Sequence, residues 1–467
     1  MSLWQSEASR PVEPEAAAAR FINDPKHEET HDRLVWGMRT KRDQAASLLP
    51  HWEELREVAS QVKEHTLTHL DQYLQQFENN ALANGVKVHW ARDAAEHNNT
   101  VLRIFEEHGV KLVIKSKSML QEECGMTEFL IAHGITVRES DLGERIQQLS
   151  KERPSHIVVP SIHKLRTDIA ELFAEHLHTD PHNSDPHYLA EAMRNDARPQ
   201  FLAADAAMTG ANFAVAETGG IVVCTNEGNA DIGATVPSLL VSSIGIEKLI
   251  PRASDLGLFL RLLSRSALGP PMTQYTTHLH RPRPGTELHF VLVDNKRSER
   301  LASPDFWHVL KCIRCGACMN TCPVYRRSGG LAYGATYSGP IGIILDPGFD
   351  HRKYRELPFH SSLCGSCTEV CPVKIDISNQ IYKWRRVIAS EGLLPAIKGA
   401  GLPVLGDVLA HPAVFHAAEA IGIASIAHLP HKVLDNPLNP WTRHREMPGA
   451  PSQTFHAWYE KEGKKHE

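Results

Sequence analysis

Seven of the nine cysteines of this chain lie between residues 312 and 371, and this cluster constrains the fold more than any other feature. The stretch KCIRCGACMNTCPVY spaces four of them as C-x2-C-x2-C-x3-C, and Pro323 follows the last one. This is the ferredoxin pattern, in which three thiolates bind one iron–sulfur cluster and the fourth serves a second cluster. The spacing therefore predicts a two-cluster site.

The stretch SSLCGSCTEVCP repeats the pattern with Ser361 where the first cysteine is expected. The crossing rule of two-cluster ferredoxins then predicts two ligand sets. Cluster 1 takes Cys312, Cys315, Cys318 and Cys371, and cluster 2 takes Cys322, Cys364 and Cys367. Cluster 2 is one thiolate short. Zinc is disfavoured, because seven cysteines do not divide into two sets of four.

The fourth ligand of cluster 2 has three interpretations. Ser361 supplies an alkoxide, a water or substrate binds the fourth iron, or that iron is absent and the cluster is 3Fe-4S. His360 is a further candidate, although a histidine beside a metal centre is more often a hydrogen-bond donor. We expect two 4Fe-4S clusters, the second with three cysteine ligands.

Composition and charge exclude other classes of protein. A chain of 467 residues is too long for a single hydrophobic core, and a net charge of −5 is atypical of nucleic-acid-binding proteins. The N-terminus lacks a basic segment before an apolar one, so we expect no secretory signal and a cytoplasmic protein, with peripheral attachment to the inner face of the membrane as an alternative. Charges and prolines interrupt the apolar stretch from residue 393 to 430, so no transmembrane span is expected.

Hydrophobic periodicity predicts the rest of the fold. Residues 24–80 have helical spacing, and from Val86 short strands alternate with helices, which predicts a largely parallel α/β sheet. HIVVPS and FAVAETGGIVVCT are among the predicted strands. The predicted organisation is an N-terminal helical segment (1–65), an α/β domain (66–300), an α-helical ferredoxin domain (301–390) and a helical C-terminal domain (391–467).

The α/β domain carries a candidate small-molecule site. Glycines inside a strand permit close approach of a ligand, and polar residues at strand ends of α/β sheets often bind one. The candidates are Glu217, Thr218, Gly219, Gly220, Asn226, Glu227 and, for an anion, Lys115. A turn followed by a solvated acid explains the same pattern equally well.

Two other patterns are informative. His27-Glu28-Glu29-Thr30-His31 matches the H-E-x-x-H zinc pattern, but the chain holds 28 histidines, so a chance match is the better explanation. Neither a G-x-G-x-x-G nor a P-loop sequence occurs, so no dinucleotide or P-loop fingerprint is visible.

With these motifs assembled, the chain resembles the lactate utilization protein B family, the iron–sulfur components of a three-protein bacterial L-lactate oxidation system. The similarity rests on NNALANGVKVHWARDAAEHNN, IKSKSM, PSHIVVPSIHK, AETGGIVV, CIRCGACMNTCPVYRRSGG and LCGSCTEVCPVKID. It implies a LUD-type central domain of the CoA-transferase and sugar-phosphate-isomerase class, and a second cluster with only three cysteines. It also implies two partners, a cysteine-rich component and a second LUD-domain protein.

Two functions are compatible with these features. In the first, the protein transfers electrons from the oxidation of L-lactate to pyruvate, as part of an L-lactate dehydrogenase complex whose downstream acceptor the sequence leaves open. In the alternative, the protein is itself an enzyme, and the under-ligated iron of cluster 2 acts as a Lewis acid on a hydroxy acid.

Overall fold

The computed structural model describes residues 11–436, 439, 442 and 446–463. Two compact units make up the chain, one ending at Ile388 and the other beginning at Ala389. The larger unit holds the helical N-terminus, two β-sheets and the cysteine region.

In the described part of the chain, four helices precede the first strand, and three of them cover most of residues 24–80, where the periodicity predicts helical structure. Asp24 caps the second of the four by accepting a hydrogen bond from the His27 backbone N–H, and Pro25 occupies its first turn. The four helices span Pro14–Ile22, Pro25–Ser47, Trp52–Thr68 and Leu70–Ala83.

A six-stranded sheet forms the centre of the α/β domain, in the order β1-β10-β7-β4-β2-β3. Every pair in it is parallel, so the predicted parallel sheet is confirmed. The strands are β1 (Lys87–Ala91), β2 (Leu112–Lys115), β3 (Thr136–Glu139), β4 (Ala206–Gly210), β7 (Leu239–Gly245) and β10 (Glu287–Val293). Apolar side chains such as Val113, Val241 and Val291 are fully buried in it.

Helices connect these strands and cover the sheet. Residues 119–132 form two short helices that separate at Gly125, whose φ of +63° only glycine adopts readily. The connecting helices are Ala94–Glu107, Met119–Glu123, Met126–Ala132, Leu142–Ser150, Arg166–Leu177, Pro186–Ala203, Asn229–Thr235 and Ala253–Ala267.

A second sheet of four strands corrects two of the sequence predictions. FAVAETGGIVVCT is a hairpin and not one strand, because β5 and β6 pair antiparallel and the residues between them form a turn. The predicted strand HIVVPS is also wrong: the His156 Nδ1 atom accepts hydrogen bonds from the N–H groups of Val158 and Val159, which closes a turn. The sheet contains β5 (Phe213–Val215), β6 (Gly220–Thr225), β8 (Leu249–Ile250) and β9 (Tyr275–Leu279).

The cysteine region consists of short helices and loops. It packs against the N-terminal helices through one shared hydrophobic core, to which Val35, Ala59, Met319 and Trp384 belong. Its helices are Arg297–Leu301, Ala317–Thr321, Pro323–Ser328, Gly339–Leu345, Ser366–Glu369 and Ile377–Ser390.

The second unit contains the helices Ala396–Ala410, Pro412–His428, His431–Leu434 and Phe455–Lys461. Several large apolar side chains on it are exposed, including Val404 and Ile421. In the described chain, no single helix has both the length and the apolar character of a membrane span; Gly399–Ala410 and Pro412–His428, which meet at 108°, pass that test only as a bent pair.

Candidate metal centre

The cysteine region contains two stretches of similar backbone, which we call the first half (residues 312–323) and the second half (residues 361–372). In each half a left-handed residue precedes the second ligand position and a left-handed glycine follows it. The φ angles are +60° at Arg314 and +78° at Gly316, and +56° at Leu363 and +80° at Gly365. A short helix then begins in both halves. The second half therefore repeats the backbone of the first.

Ser361 occupies the position of Cys312 in this repeat. The Cys312 Sγ accepts a hydrogen bond from the Arg314 N–H at 3.4 Å. The Ser361 Oγ accepts one from the Leu363 N–H at 3.2 Å, also two residues ahead. Both side chains are thus held by the same local turn. Neighbouring His360 bonds elsewhere, because its Nε2 lies 3.1 Å from the Ser328 Oγ.

Burial and neighbouring thiols together raise the pKa values of most of these cysteines. Burial raises the pKa of Cys318 well above its usual value, and charges on Cys312, Cys315, Cys367 and Cys371 raise it further. Burial raises the pKa of Cys367 to about 12, with contributions from Cys322 and Cys364. The two predicted ligand sets, which we call the first thiol group (Cys312, Cys315, Cys318 and Cys371) and the second thiol group (Cys322, Cys364 and Cys367), stay a prediction, because Cys367 also acts on Cys318.

Within the described residues, none of these cysteines forms a disulfide bond. Buried thiols with raised pKa values are poor thiolates on their own, and coordination to a metal offsets that cost. Backbone N–H groups also donate to sulfur, from Tyr325 to Cys322 and from Ile375 to Cys371, both at 3.4 Å. Hydrogen bonds to the ligand sulfurs are typical of iron–sulfur sites. The residues present therefore fit such clusters.

The surroundings of the two halves differ. A Cβ at Gly316 would lie 3.2 Å from the His156 Cε1 atom, whereas one at Gly365 would meet nothing within 4 Å. Cys315 is buried and its counterpart Cys364 is exposed. The first half is packed against the α/β domain, and the second half is more open.

Two arginines of the N-terminal helices bind the end of the second half. Arg56 donates from Nε and Nη2 to the carbonyl of Cys371 at 3.1 and 2.9 Å. Arg42 donates from Nη2 to the carbonyl of Val370 at 3.2 Å. Both side chains are buried, so these charge-assisted bonds fix the backbone beside Cys371.

A cavity of about 670 Å³ adjoins the first half. It lies at the carboxyl ends of the parallel strands, where Ser116 and Lys117 follow β2, Asn212 follows β4, and Lys248 follows β7. β2 and β4 are neighbours whose onward connections run in opposite directions across the sheet, and such switch points commonly bind ligands. Arg314 and Cys315 complete the wall.

The structure separates the candidate small-molecule residues. Asn226 and Glu227 line the cavity. Lys115 is fully buried and pairs with Glu122 and Glu139 at 2.7 and 2.8 Å, so its charge is already neutralised. Lys117, which the sequence reasoning did not single out, lines the cavity in its place.

The turn between β5 and β6 has a packing role. Glu217 accepts a hydrogen bond from the Ala253 N–H, and Thr218 lies against His278. Gly219 sits so close to Asn80 and Ala81 that a Cβ would collide with their backbone. These residues and Gly220 do not line the large cavity.

The H-E-x-x-H residues have partners within the protein. The His27 Nε2 lies 2.7 Å from the Asp168 Oδ2, and the His31 Nδ1 donates to the Arg326 carbonyl at 3.0 Å. Glu28 pairs with Arg327. The match to a zinc pattern is explained by contacts that join the N-terminal helices to the rest of the unit.

Two protein families match this chain, one over the α/β domain and one over the cysteine region. The LUD domain family matches residues 74–301, and the 4Fe-4S dicluster domain family matches residues 308–375. Lactate utilization protein B of Bacillus cytotoxicus is 40% identical over 442 residues, which cover 91% of this chain and 92% of the relative. The chain belongs to the lactate utilization protein B family.

Other relatives are about as similar. Lactate utilization protein B of an Exiguobacterium species is 39% identical over 91% of this chain and 92% of its own length. The uncharacterized electron transport protein YkgF of Escherichia coli is 38% identical over 90% of both chains. The dicluster match and the seven thiols identify residues 308–375 as an iron–sulfur region, so the predicted class of cofactor is confirmed.

Proposed function

We propose that the protein is the iron–sulfur electron-transfer component in the oxidation of L-lactate to pyruvate. Its relatives are named for lactate utilization and for electron transport. The observation that carries the proposal is the repeated backbone of residues 312–323 and 361–372, which places the seven clustered cysteines in two similar turns within the dicluster match. Iron–sulfur clusters supply one-electron transfer, and short separation favours it.

The proposed ligand sets follow the two thiol groups. Cys312, Cys315, Cys318 and Cys371 hold the first 4Fe-4S cluster, and Cys322, Cys364 and Cys367 hold the second. The shared turn geometry of Ser361 and Cys312 supports Ser361 as the fourth position of the second set. Backbone N–H groups donate to the Cys322 and Cys371 sulfurs. The buried Arg42 and Arg56 bind the backbone at and next to Cys371.

The proposed partners are a cysteine-rich component and a second LUD-domain protein, in the cytoplasm. Residues 311–386 contain eleven Lys or Arg and five Asp or Glu, against a net charge of −5 for the chain. Such an excess balances anionic clusters and also suits an acidic redox partner. The cysteine region is the surface on which we expect those partners to bind.

The alternative, an enzyme acting on a hydroxy acid at the second cluster, has no structural observation in its favour. Within the described residues, the large cavity reaches Cys315 of the first half, and none of Ser361, Cys364 and Cys367 lines it. Purified protein that oxidises L-lactate with an artificial acceptor in the absence of partners would support this alternative.

The proposed function is tested by deletion and by electron counting. Deleting the gene in a strain without a paralogue should abolish growth on L-lactate, and the wild-type gene should restore it. Anaerobically purified protein should accept two electrons per chain, one at each cluster. Normal growth of the deletion strain on L-lactate would refute the proposal.

A further inference from the structure

The cavity beside the first half contains an arginine with an unused donor. Arg314 follows Cys312 by two residues, and its side chain is only 8% exposed. Its guanidinium stacks over the Tyr337 ring at 4.7 Å, and its Nη2 lies 3.5 Å from the Glu247 Oε1. Its Nη1 is buried and has no hydrogen-bond partner among the described residues. A buried donor without a partner is costly, and a ligand can supply the acceptor.

A second cation of the same wall has no direct partner. Lys248 follows β7, and within the described part of the chain its Nζ makes no hydrogen bond or ion pair. The carboxylate of the preceding Glu247 is taken up elsewhere, because its Oε2 accepts from the Arg297 Nε at 2.5 Å and its Oε1 lies 3.5 Å from Arg314. One carboxylate thus serves two guanidinium groups and forms no ion pair with Lys248.

The rest of the cavity suits an organic molecule. Val158, Ile162 and Leu263 provide an apolar wall, and Asn212 and Asn226 provide amides. A volume of about 670 Å³ is in the range of sites for cofactor-sized ligands. The position at the switch point between β2 and β4 is where α/β sheets commonly bind ligands.

We propose that this cavity binds an organic oxyanion, a molecule whose carboxylate or phosphate group is held by Arg314 and Lys248 and whose apolar body lies against Val158, Ile162 and Leu263. The bound anion lies next to the loop that carries Cys315. Negative charge at that place lowers the reduction potential of a cluster ligated there, since net charge near a cluster sets its potential. This role goes beyond electron transfer, because a bound small molecule would regulate the reduction potential of the cluster in the first half.

The same cations could instead only balance the charge of a cluster. That role makes a different prediction: removing Lys248 changes the potential of the first cluster without any ligand, and no organic anion binds. Ligand binding therefore distinguishes the two roles.

The experiment is a calorimetric titration of the anaerobically purified, cluster-loaded full-length protein with two sets of probes. The carboxylate set is L-lactate and pyruvate, and the phosphate set is AMP, flavin mononucleotide and inorganic phosphate. Saturable binding of one ligand per chain by a member of either set is expected, and the set that binds identifies the head group. At saturation the EPR spectrum of the first cluster should change and its potential should fall.

Variants of Lys248 make the test specific. Lys248→Met should weaken binding at least about tenfold, because a charge-assisted contact is lost. Lys248→Arg should restore most of the affinity, and Lys26→Met, at an exposed position outside the cavity, should have no effect. Unchanged iron content shows that each variant has folded. The proposal is overturned if no probe binds saturably, or if Lys248→Met binds as tightly as the wild-type protein.

Discussion

The first and second halves of the cysteine region share a backbone but differ in what surrounds it. Gly316 and its loop pack against His156, whereas Gly365 faces open space and Cys364 is exposed. The first half has a cysteine at its opening position, and the second has Ser361 in the same turn. A repeated backbone thus leaves one half packed inside the protein and the other near its surface, so the two halves differ in their exposure to solvent.

The largest effect should come from removing one cysteine of each thiol group. Cys371→Ala removes a buried thiol of the first group without offering an oxygen ligand, and we expect the loss of that cluster, with iron falling from about eight to about four atoms per chain. Cys364→Ala removes the exposed thiol of the second group and should affect only the other EPR signal. Loss of both signals in both variants would show that the two groups are not separate sites.

A reciprocal exchange at the opening position tests the equivalence of the halves. Ser361→Cys should change the EPR signal of the second cluster alone, because the new thiol lies in the turn that holds Cys312. Cys312→Ser should give the first cluster a spectrum resembling that of the wild-type second cluster. A new thiol at position 361 that reacts freely with an alkylating reagent in the loaded protein would contradict this equivalence.

Removing the side-chain contacts of Arg56 with the Cys371 carbonyl should lower the stability of the second half. Arg56→Met deletes charge-assisted bonds to the Cys371 carbonyl and should cost about 2–3 kcal/mol of unfolding free energy. Arg33→Met, at an exposed position on the preceding helix, is the matched control. Thermal unfolding of the loaded proteins measures the difference. Equal melting temperatures for the two variants would exclude a role of Arg56 in holding Cys371.

The packing difference predicts unequal effects of the same glycine substitution. Gly365→Ala should cost about 1–2 kcal/mol, the strain of a left-handed alanine. Gly316→Ala should cost more, because the new Cβ also presses on His156 at 3.2 Å. Thermal unfolding compares the two variants directly. If both lose the same stability, the contact with His156 contributes nothing.

The smallest effect concerns pH. Burial lowers the pKa of His156 from its ordinary 6.5 to about 3, and the bond to Asn320 only partly opposes this. Below pH 6.5 the unfolded chain binds a proton here that the folded chain does not, so stability falls as the pH falls. The loss is about 1 kcal/mol between pH 6.5 and 5.5. His156→Gln should remove this part of the pH dependence, measured as melting temperature against pH.

Much of the α/β fold could be predicted from the sequence, because β1, β2, β3, β7 and β10 lie in short strand-favouring runs between helical segments, such as KLVIKS and HFVLVDN. β4 is not among the predicted strands, since its alanine-rich sequence has little strand preference. The sequence predicts a strand across β5 and β6, although its two glycines also suit a turn; the antiparallel pairing and the close approach of Gly219 to Asn80 establish the turn. A continuous apolar run does not distinguish a strand from a hairpin.

The candidate site was predictable to different degrees. Cysteine spacing predicts an iron–sulfur region, which the dicluster match confirms, while the assignment of each cysteine to a cluster stays a prediction. The cavity could not be predicted, since its wall combines residues that follow β2, β4 and β7 with a loop of the cysteine region. Arg314 is visible inside C-x2-C, but its surroundings include Glu247 and Arg297, which lie earlier in the chain, in the α/β domain.

The contacts of Arg42 and Arg56 also determine the order in which parts of the protein can pack together during synthesis. Arg56 is synthesised 315 residues before the Cys371 carbonyl that it binds. The N-terminal helices are therefore synthesised long before residues 361–372. Their arginines can bind this segment only after Cys371 has been synthesised. The LUD and dicluster families match residues 74–301 and 308–375, so neither match includes the two helices that carry Arg42 and Arg56. A truncated chain that begins at residue 74 would keep every thiol and lose the arginines that hold the last one in place.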